Sequence, residues 1–188
     1  MMFVLLTSVP EYGEAAAGFK RRPFNMTAIN AFSLILTVQG MAKPIELAVP
    51  DDADVAHILA RIREETGRTD IEELAFEDAD EPLADAATII EDLRREFRVL
   101  HASTRQRIKV RLSYEGQSHE RAFRPNATIR RVIRWAISPE AFGLEGKPAQ
   151  FQVKVDGRVV PPDTHLGQAA HGSCALEGVL VHNVKPQG

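Results

Sequence analysis

Arg107-Ile-Lys-Val-Arg-Leu-Ser-Tyr114 alternates apolar and polar residues without a break, and reading it as a strand orders the rest of the chain. Ile108, Val110, Leu112 and Tyr114 share one face, the period of two expected of a strand lying over a core. Glu115-Gly116-Gln117 turns the chain, and His119 to Phe123 returns as the partner strand, closed by Pro125-Asn126. A helix is expected next, capped by Asn126 or Thr128, with Ile129, Val132, Ile133 and Ala136 inward. Ser138-Pro139 ends or kinks it. Phe151-Gln-Val-Lys-Val155 alternates again and runs into Asp156-Gly157, a strong turn signal. A short segment around Leu166 precedes a final strand, roughly Ala175 to His182.

The same order is written once more upstream. Phe32-Ser-Leu-Ile-Leu-Thr-Val-Gln-Gly40 places Phe32, Leu34, Leu36 and Val38 on one face. Gly40-Met-Ala-Lys43 makes a turn, and Pro44-Ile-Glu-Leu-Ala-Val-Pro50 returns with Ile45, Leu47 and Val49 inward. Prolines at both ends suit the margins of a strand and not its middle. Asp51 or Asp52 caps a helix, with Asp54 in or near its first turn, where negative charge is favoured. Val55, Ile58, Leu59 and Ile62 recur at helical spacing, and Gly67 is a natural stop. Leu74 and Phe76 mark a short strand, Asp78 to Pro82 a polar loop, Ile89 to Leu93 a brief turn, and Phe97-Arg-Val-Leu100 a last strand. Strand, strand, helix, strand, turn, strand thus occurs twice, which points to two α+β units. The rival reading is one larger α+β domain with a mixed sheet.

Charge divides the chain at the same place. Thr27 to Thr104 carries 7 Lys+Arg against 17 Asp+Glu, and Arg105 to Gly188 carries 13 against 7. Such asymmetry supports separate units that either dock on each other or serve separate partners. The connecting Ala102-Ser-Thr-Arg-Gln106 is too short for free roaming. The expected divisions are an extension over residues 1–26, an acidic unit over 27–103, a basic unit over 106–183 and a tail over 184–188. The extension is read as flexible, and Met26 as a possible true start. Starting at Met41 would delete the first strand.

The 188 residues are 44% apolar and 26% charged, ordinary for a globular protein. The lone cysteine, Cys174, fits a reducing compartment, so a cytoplasmic location is expected. No run of eighteen apolar residues exists, and Met1 to Ser8 lacks the basic start of a signal peptide.

A hairpin, a helix crossing the sheet and two further strands follow the ubiquitin-like β-grasp plan. Val155-Asp-Gly-Arg-Val-Val-Pro-Pro-Asp-Thr-His-Leu166 resembles the ubiquitin segment after its helix: a strand, a Gly-basic turn, an apolar residue, an Asp, then Thr and Leu. Leu176, Val179 and Leu180 in the last strand are similar too. The resemblance covers about 80 residues of the second half and is architectural in the first. Two such units in tandem resemble the interferon-induced tandem ubiquitin-like modifier of vertebrates and the tandem modifiers of bacterial antiphage Bil operons, BilA. The arginine and alanine richness favours the bacterial version. The resemblance implies an activating enzyme that uses ATP, a conjugating enzyme and a metal-dependent deconjugating peptidase as partners. It implies phage structural proteins as targets, and no cofactor on the chain itself.

Conjugation of this kind begins when the activating enzyme adenylates the terminal carboxylate. A cysteine thiol takes the acyl group, and a lysine amine receives it. The tail must be extended, and glycine, with no side chain, passes a narrow channel. Gly188 is the expected acyl donor, and Val184, Lys185, Pro186 and Gln187 the residues read by the activating enzyme or peptidase. Pro186 favours an extended form. Ubiquitin ends in two glycines where this chain has Gln187-Gly188, which puts recognition by a diglycine-selective enzyme in doubt. With nothing after Gly188, no precursor processing is expected unless cleavage lies upstream. A central apolar residue of the ubiquitin binding surface is matched by Lys154, and Val179 matches a second one. Ordinary ubiquitin receptors are therefore expected to bind poorly.

Other signals have plainer readings. Arg130, Arg131 and Arg134 make one helix side basic. A solvated face, or one that meets the acidic half, explains this better than nucleic acid binding, because no flanking aromatics are placed for base stacking. His165, His171, Cys174 and His182 match no zinc spacing. Trp135 reads as packing, and Asp51, Asp52 and Asp54 as helix capping. There is no P-loop, Gly-x-Ser-x-Gly or His-Glu-x-x-His, so an enzyme is not expected. A non-conjugated β-grasp adaptor bridging two partners is the second reading, and a thiocarboxylate sulfur carrier the third.

Overall fold

A computed structural model of the protein describes residues 31–90, 93 and 99–183. The extension over residues 1–26, Met26 included, lies outside them.

Among the described residues two sheets form, each around its own helix. In the first half, β1 (Ala31–Val38) pairs antiparallel with β2 (Ile45–Pro50). Helix α1 (Val55–Thr66) crosses behind, β3 (Glu73–Phe76) follows, and β4 (Leu100–Ser103) inserts between β1 and β3. β4 runs parallel to β1 and antiparallel to β3, giving the order β2-β1-β4-β3. In the second half, β5 (Ile108–Tyr114) and β6 (Gln117–Phe123) form the hairpin. α2 (Ile129–Ile137) crosses behind it. β7 (Phe151–Val155), β8 (Arg158–Val160), the single turn α3 (Leu166–Ala169) and β9 (Ala175–His182) complete the unit. The order is β6-β5-β9-β7-β8, with β9 parallel to β5. This is the mixed sheet of a β-grasp, twice, in an α+β chain.

The two cores are separate. Leu34, Leu36, Val38, Ile58, Ile62 and Leu100 belong to one, and Val110, Leu112, Ile129, Val132, Leu166 and Leu180 to the other. A single shared domain is thereby excluded. Each fully buried Leu or Ile contributes about 1.5–3 kcal/mol, so both halves have a hydrophobic reason to close. The repeat extends to detail: the capping residue of each helix makes an isolated bridge to the turn before the last strand, Asp54 to Thr88 and Thr128 to His165.

Turn chemistry explains both hairpins of the second half. Glu115 and Gly116, and again Asp156 and Gly157, adopt positive φ in two-residue turns. That matches the right-handed strand twist. Gln117 therefore belongs to the strand, opposite Tyr114, and not to the turn.

Three expectations are corrected. The helix cap is Asp54, not Asp51 or Asp52: its Oδ1 accepts the His57 amide at 2.7 Å, and the helix begins only at Val55. The last strand of the first half runs over Leu100–Ser103 and so extends past Leu100, where the expected strand ends; Phe97 and Arg98 lie outside the described residues. All four of its residues are buried, so no alternation marks it. Consequently Ala102 and Ser103 are strand, and the connection shortens to residues 104–107.

Candidate functional site

The expected acyl donor Gly188 and the tail residues Val184, Lys185, Pro186 and Gln187 lie outside the described residues. The strand that leads to them is central to its sheet, held by β5 on one side and β7 on the other. The Asn183 amide still donates to Gln150 O at 2.7 Å.

Lys154 and Val179 are brought together. They are direct partners across β7 and β9, and Lys154 is also opposite Val159 on β8. Directly paired residues share a face, so Val159, Lys154 and Val179 form one row on the side of the sheet away from α2. Both valines are nearly half exposed, at 48% and 45%. The row continues to Ser113 on β5. Behind it Gly178 faces the core. A Cβ there would lie 2.9 Å from Lys154 O and 3.2 Å from side-chain atoms of Leu112 and Val153. Val159, which sequence reasoning did not single out, also lines a cleft between the halves with Arg68, Gln168 and Cys174.

The equivalent row of the first half is mostly covered, with Ala75 and His101 buried and Thr37 half-buried. Thr37, His101 and Ala75 lie side by side on β1, β4 and β3, and His101 is fully buried against the second half. The opposite charges of the halves are used on each other in this joint. Arg124 reaches Glu73 at 2.6 Å with both side chains largely buried, and donates to Asp80 O at 2.6 Å. Arg131 bonds Asp80 and the Asp78 carbonyl, and Arg134 meets Asp78 at 3.2 Å. Arg130 turns to Asp163 in its own half. Asn126, 1% exposed, donates to Phe76 O at 2.7 Å and Ala79 O at 3.1 Å. Gln39 Oε1 accepts the Thr104 amide at 3.1 Å, and Arg68 donates to Gln39 O at 2.9 Å, bracing the connection. The bidentate bonds of Arg68 also hold the Asp70 carboxyl below its ordinary range.

Histidines fill the middle of the joint. His101 and His165 stack at 4.8 Å, and His165 Nε2 lies 3.1 Å from Glu77 Oε2. His101 Nδ1 is 2.6 Å from Thr37 Oγ1, while its Nε2 has no hydrogen-bond partner among the described residues. Burial first, and His165 second, push the His101 imidazole down to about 3. His182 packs on Phe151 and Tyr114, and Cys174 is exposed. No group of three or more His, Cys, Asp or Glu suited to a metal occurs among the described residues. Trp135 packs edge-on against Phe123 with centroids 5.5 Å apart.

Residues 109–183 match the family described as BilA ubiquitin-like domain 2. A ubiquitin of Caldiarchaeum subterraneum is similar to the chain at 18% identity, over 43% of this chain and 99% of that one, with a TM-score of 0.34. No curated protein matches. Over residues 109–183 the second half is therefore similar to a ubiquitin-like domain of BilA type. Among the described residues no helix is long and apolar enough to cross a membrane.

Proposed function

We propose that the chain is a ubiquitin-like protein modifier, joined through the Gly188 carboxylate to lysine side chains of target proteins in a bacterial antiphage system. The observation that carries this reading is the match of residues 109–183 to BilA ubiquitin-like domain 2. An accessible row on the same half, Val159, Lys154 and Val179, lies on the sheet whose central strand continues into the tail.

In this reading the chain supplies the acyl group and a recognition surface, and its partners supply the catalysis. The activating enzyme transfers AMP from ATP to the Gly188 carboxylate and releases pyrophosphate. A thiol of the enzyme displaces AMP, the acyl group passes to the conjugating enzyme, and a lysine amine displaces that thiol to form the isopeptide bond. A metallopeptidase reverses the step with water. The site of action is the cytoplasm, and phage structural proteins are the targets. The adaptor reading loses its main motive, because Arg124, Arg131 and Arg134 meet the acidic half of the same chain.

The test co-expresses an N-terminally tagged chain with the activating and conjugating enzymes. Conjugation yields a ladder of heavier tagged species that disappears when Gly188 is deleted. A ladder that survives the deletion, or none with both enzymes active, refutes the reading. A terminal thiocarboxylate in the intact mass assigns the chain to sulfur carriage instead.

A further inference from the structure

The joint contains one feature that its stabilising bonds do not explain: a fully buried imidazole with an unpartnered nitrogen. His101 is 0% exposed, and its Nε2 finds no partner among the described residues. It looks toward Gly167, where an added Cβ would stand 3.3 Å away. The groups against it are Thr37 from β1, Ala75 from β3, and His165 and Gly167 from the second half, with Gln39 and Pro125 also packed on Gly167. His165 is the titratable group against it, and that ring's Nε2 is on Glu77. The other charged groups of the joint are engaged with one another: Glu73 and Glu81 with Arg124, Asp80 with Arg131, and Asp78 with Arg134. None of these pairs includes His101.

We infer that the joint is a proton-operated latch, which holds the outer face of the first sheet against the second half while His101 is neutral and releases that face when the imidazole takes up a proton. A neutral ring satisfies Nδ1 with Thr37 and stacks on His165. An imidazolium carries two N–H donors, and in the closed joint the second has no acceptor among the described residues. Burying such an unpaired charge is costly, and water on the opened face removes the cost. Each half keeps its own core when the face is released, since the two clusters share no residue. What release exposes is the row Thr37, His101 and Ala75, the counterpart in the first half of the open row at Val179. The latch does not depend on the modifier reading, because Gly188 takes no part in it.

Hydrogen exchange of the full chain tests the latch. The Asp78 amide donates across the joint to Asn126 O at 3.2 Å, so its protection reads opening. The ladder between β5 and β9 reads the integrity of the second half alone. With the His101 imidazole moving between 6.5 in water and about 3 in the closed joint, protection of the Asp78 amide is expected to fall roughly a hundredfold between pH 7 and pH 4.5 after correction for intrinsic exchange, while the ladder keeps its protection. His101→Phe preserves a ring to stack and removes the proton site, so the fall should vanish in that variant. An unchanged Asp78 amide in the wild type overturns the latch, as does the same fall in His101→Phe. Should His101→Phe not fold, NMR titration of the wild-type imidazole decides. Titration at the ordinary value with the joint still protected is incompatible with the latch. Titration well below it, in step with loss of protection, sustains it.

Discussion

Asp78 accepts the amide hydrogen of Thr128 at 2.7 Å, so a carboxylate of the acidic half sits on the N-terminus of the helix of the basic half. Thr128 is itself the cap of that helix, accepting the Arg131 amide. The helix therefore has two oxygen acceptors at its positive end, one local and one fifty residues upstream. Charge and orphan donors both favour this placement.

Replacing Asp78 should weaken the second half although the residue belongs to the first. Asp78→Ala removes the acceptor and also puts alanine at φ 56, a left-handed conformation that costs L-residues. A loss of about 1–2 kcal/mol is expected from the cap alone, measured as a shift in urea midpoint. Asp78→Asn, which keeps an acceptor oxygen and tolerates positive φ, should lose less than half as much.

Arg124 and Glu73 should show strong coupling. Their ion pair is largely shielded from water, and Arg124 also serves Asp80 O. Arg124→Ala is expected to lose about 2 kcal/mol, less than a fully buried pair would. A double-mutant cycle with Glu73→Ala isolates the pair term; additive losses would show that the contact contributes nothing specific.

Gly178→Val should be the most damaging single change in β9. The added Cβ meets the Lys154 backbone oxygen at 2.9 Å, which cannot yield without moving β7, and side-chain atoms of Leu112 and Val153 at 3.2 Å. A loss of about 3 kcal/mol or more is expected, from overpacking and displacement of β7. Calorimetry of the variant checks it, and Gly178→Ala, which adds the Cβ alone, should fall between the wild type and Gly178→Val.

Acid should destabilise the chain through His101. Its pKa is depressed in the folded protein, so the unfolded chain binds the proton first. The stabilising contribution is complete above pH 6.5 and is lost as pH falls toward about 3. By pH 4.5 the loss is about 2–3 kcal/mol. Denaturant unfolding at pH 7 and 4.5 measures it, and the pH dependence should shrink by that amount in His101→Phe.

Substitutions on the open row should separate binding from folding. Val179→Glu and Lys154→Ile lie on an exposed face and should change stability by less than about 0.5 kcal/mol. If this row meets the partner enzymes, Val179→Glu lowers their affinity about tenfold or more, while Lys154→Ile makes the row apolar from Val159 to Val179. Calorimetric titration with the activating enzyme checks both.

Much of this architecture is legible in the chain. The alternation at Ile108, Val110 and Leu112 and the spacing of Val55, Ile58, Leu59 and Ile62 each place a buried face correctly, because one side of each element meets water and leaves a period. Asp156-Gly157 identifies its hairpin, because few residues adopt positive φ cheaply. β4 escapes that logic. Leu100 and Ala102 face the first core while His101 and Ser103 face the second half, so both sides are buried and no period survives. Asp54 is missed as the cap for a smaller reason, that three nearby aspartates compete for one role.

The candidate site divides in the same way. Lys154 and Val179 are recognisable from the run before Asp156-Gly157 and from the last strand, but only strand pairing makes them neighbours and adds Val159. The chain alone determines that there are two amphipathic units of opposite charge, since core patterning and charge are local properties of composition. Only the tertiary structure decides that those charges face each other, that Asp78 caps a distant helix and that His101 is sealed at the joint. Such pairings join residues some fifty or more positions apart, and no local rule of spacing encodes which surface will exclude water from which.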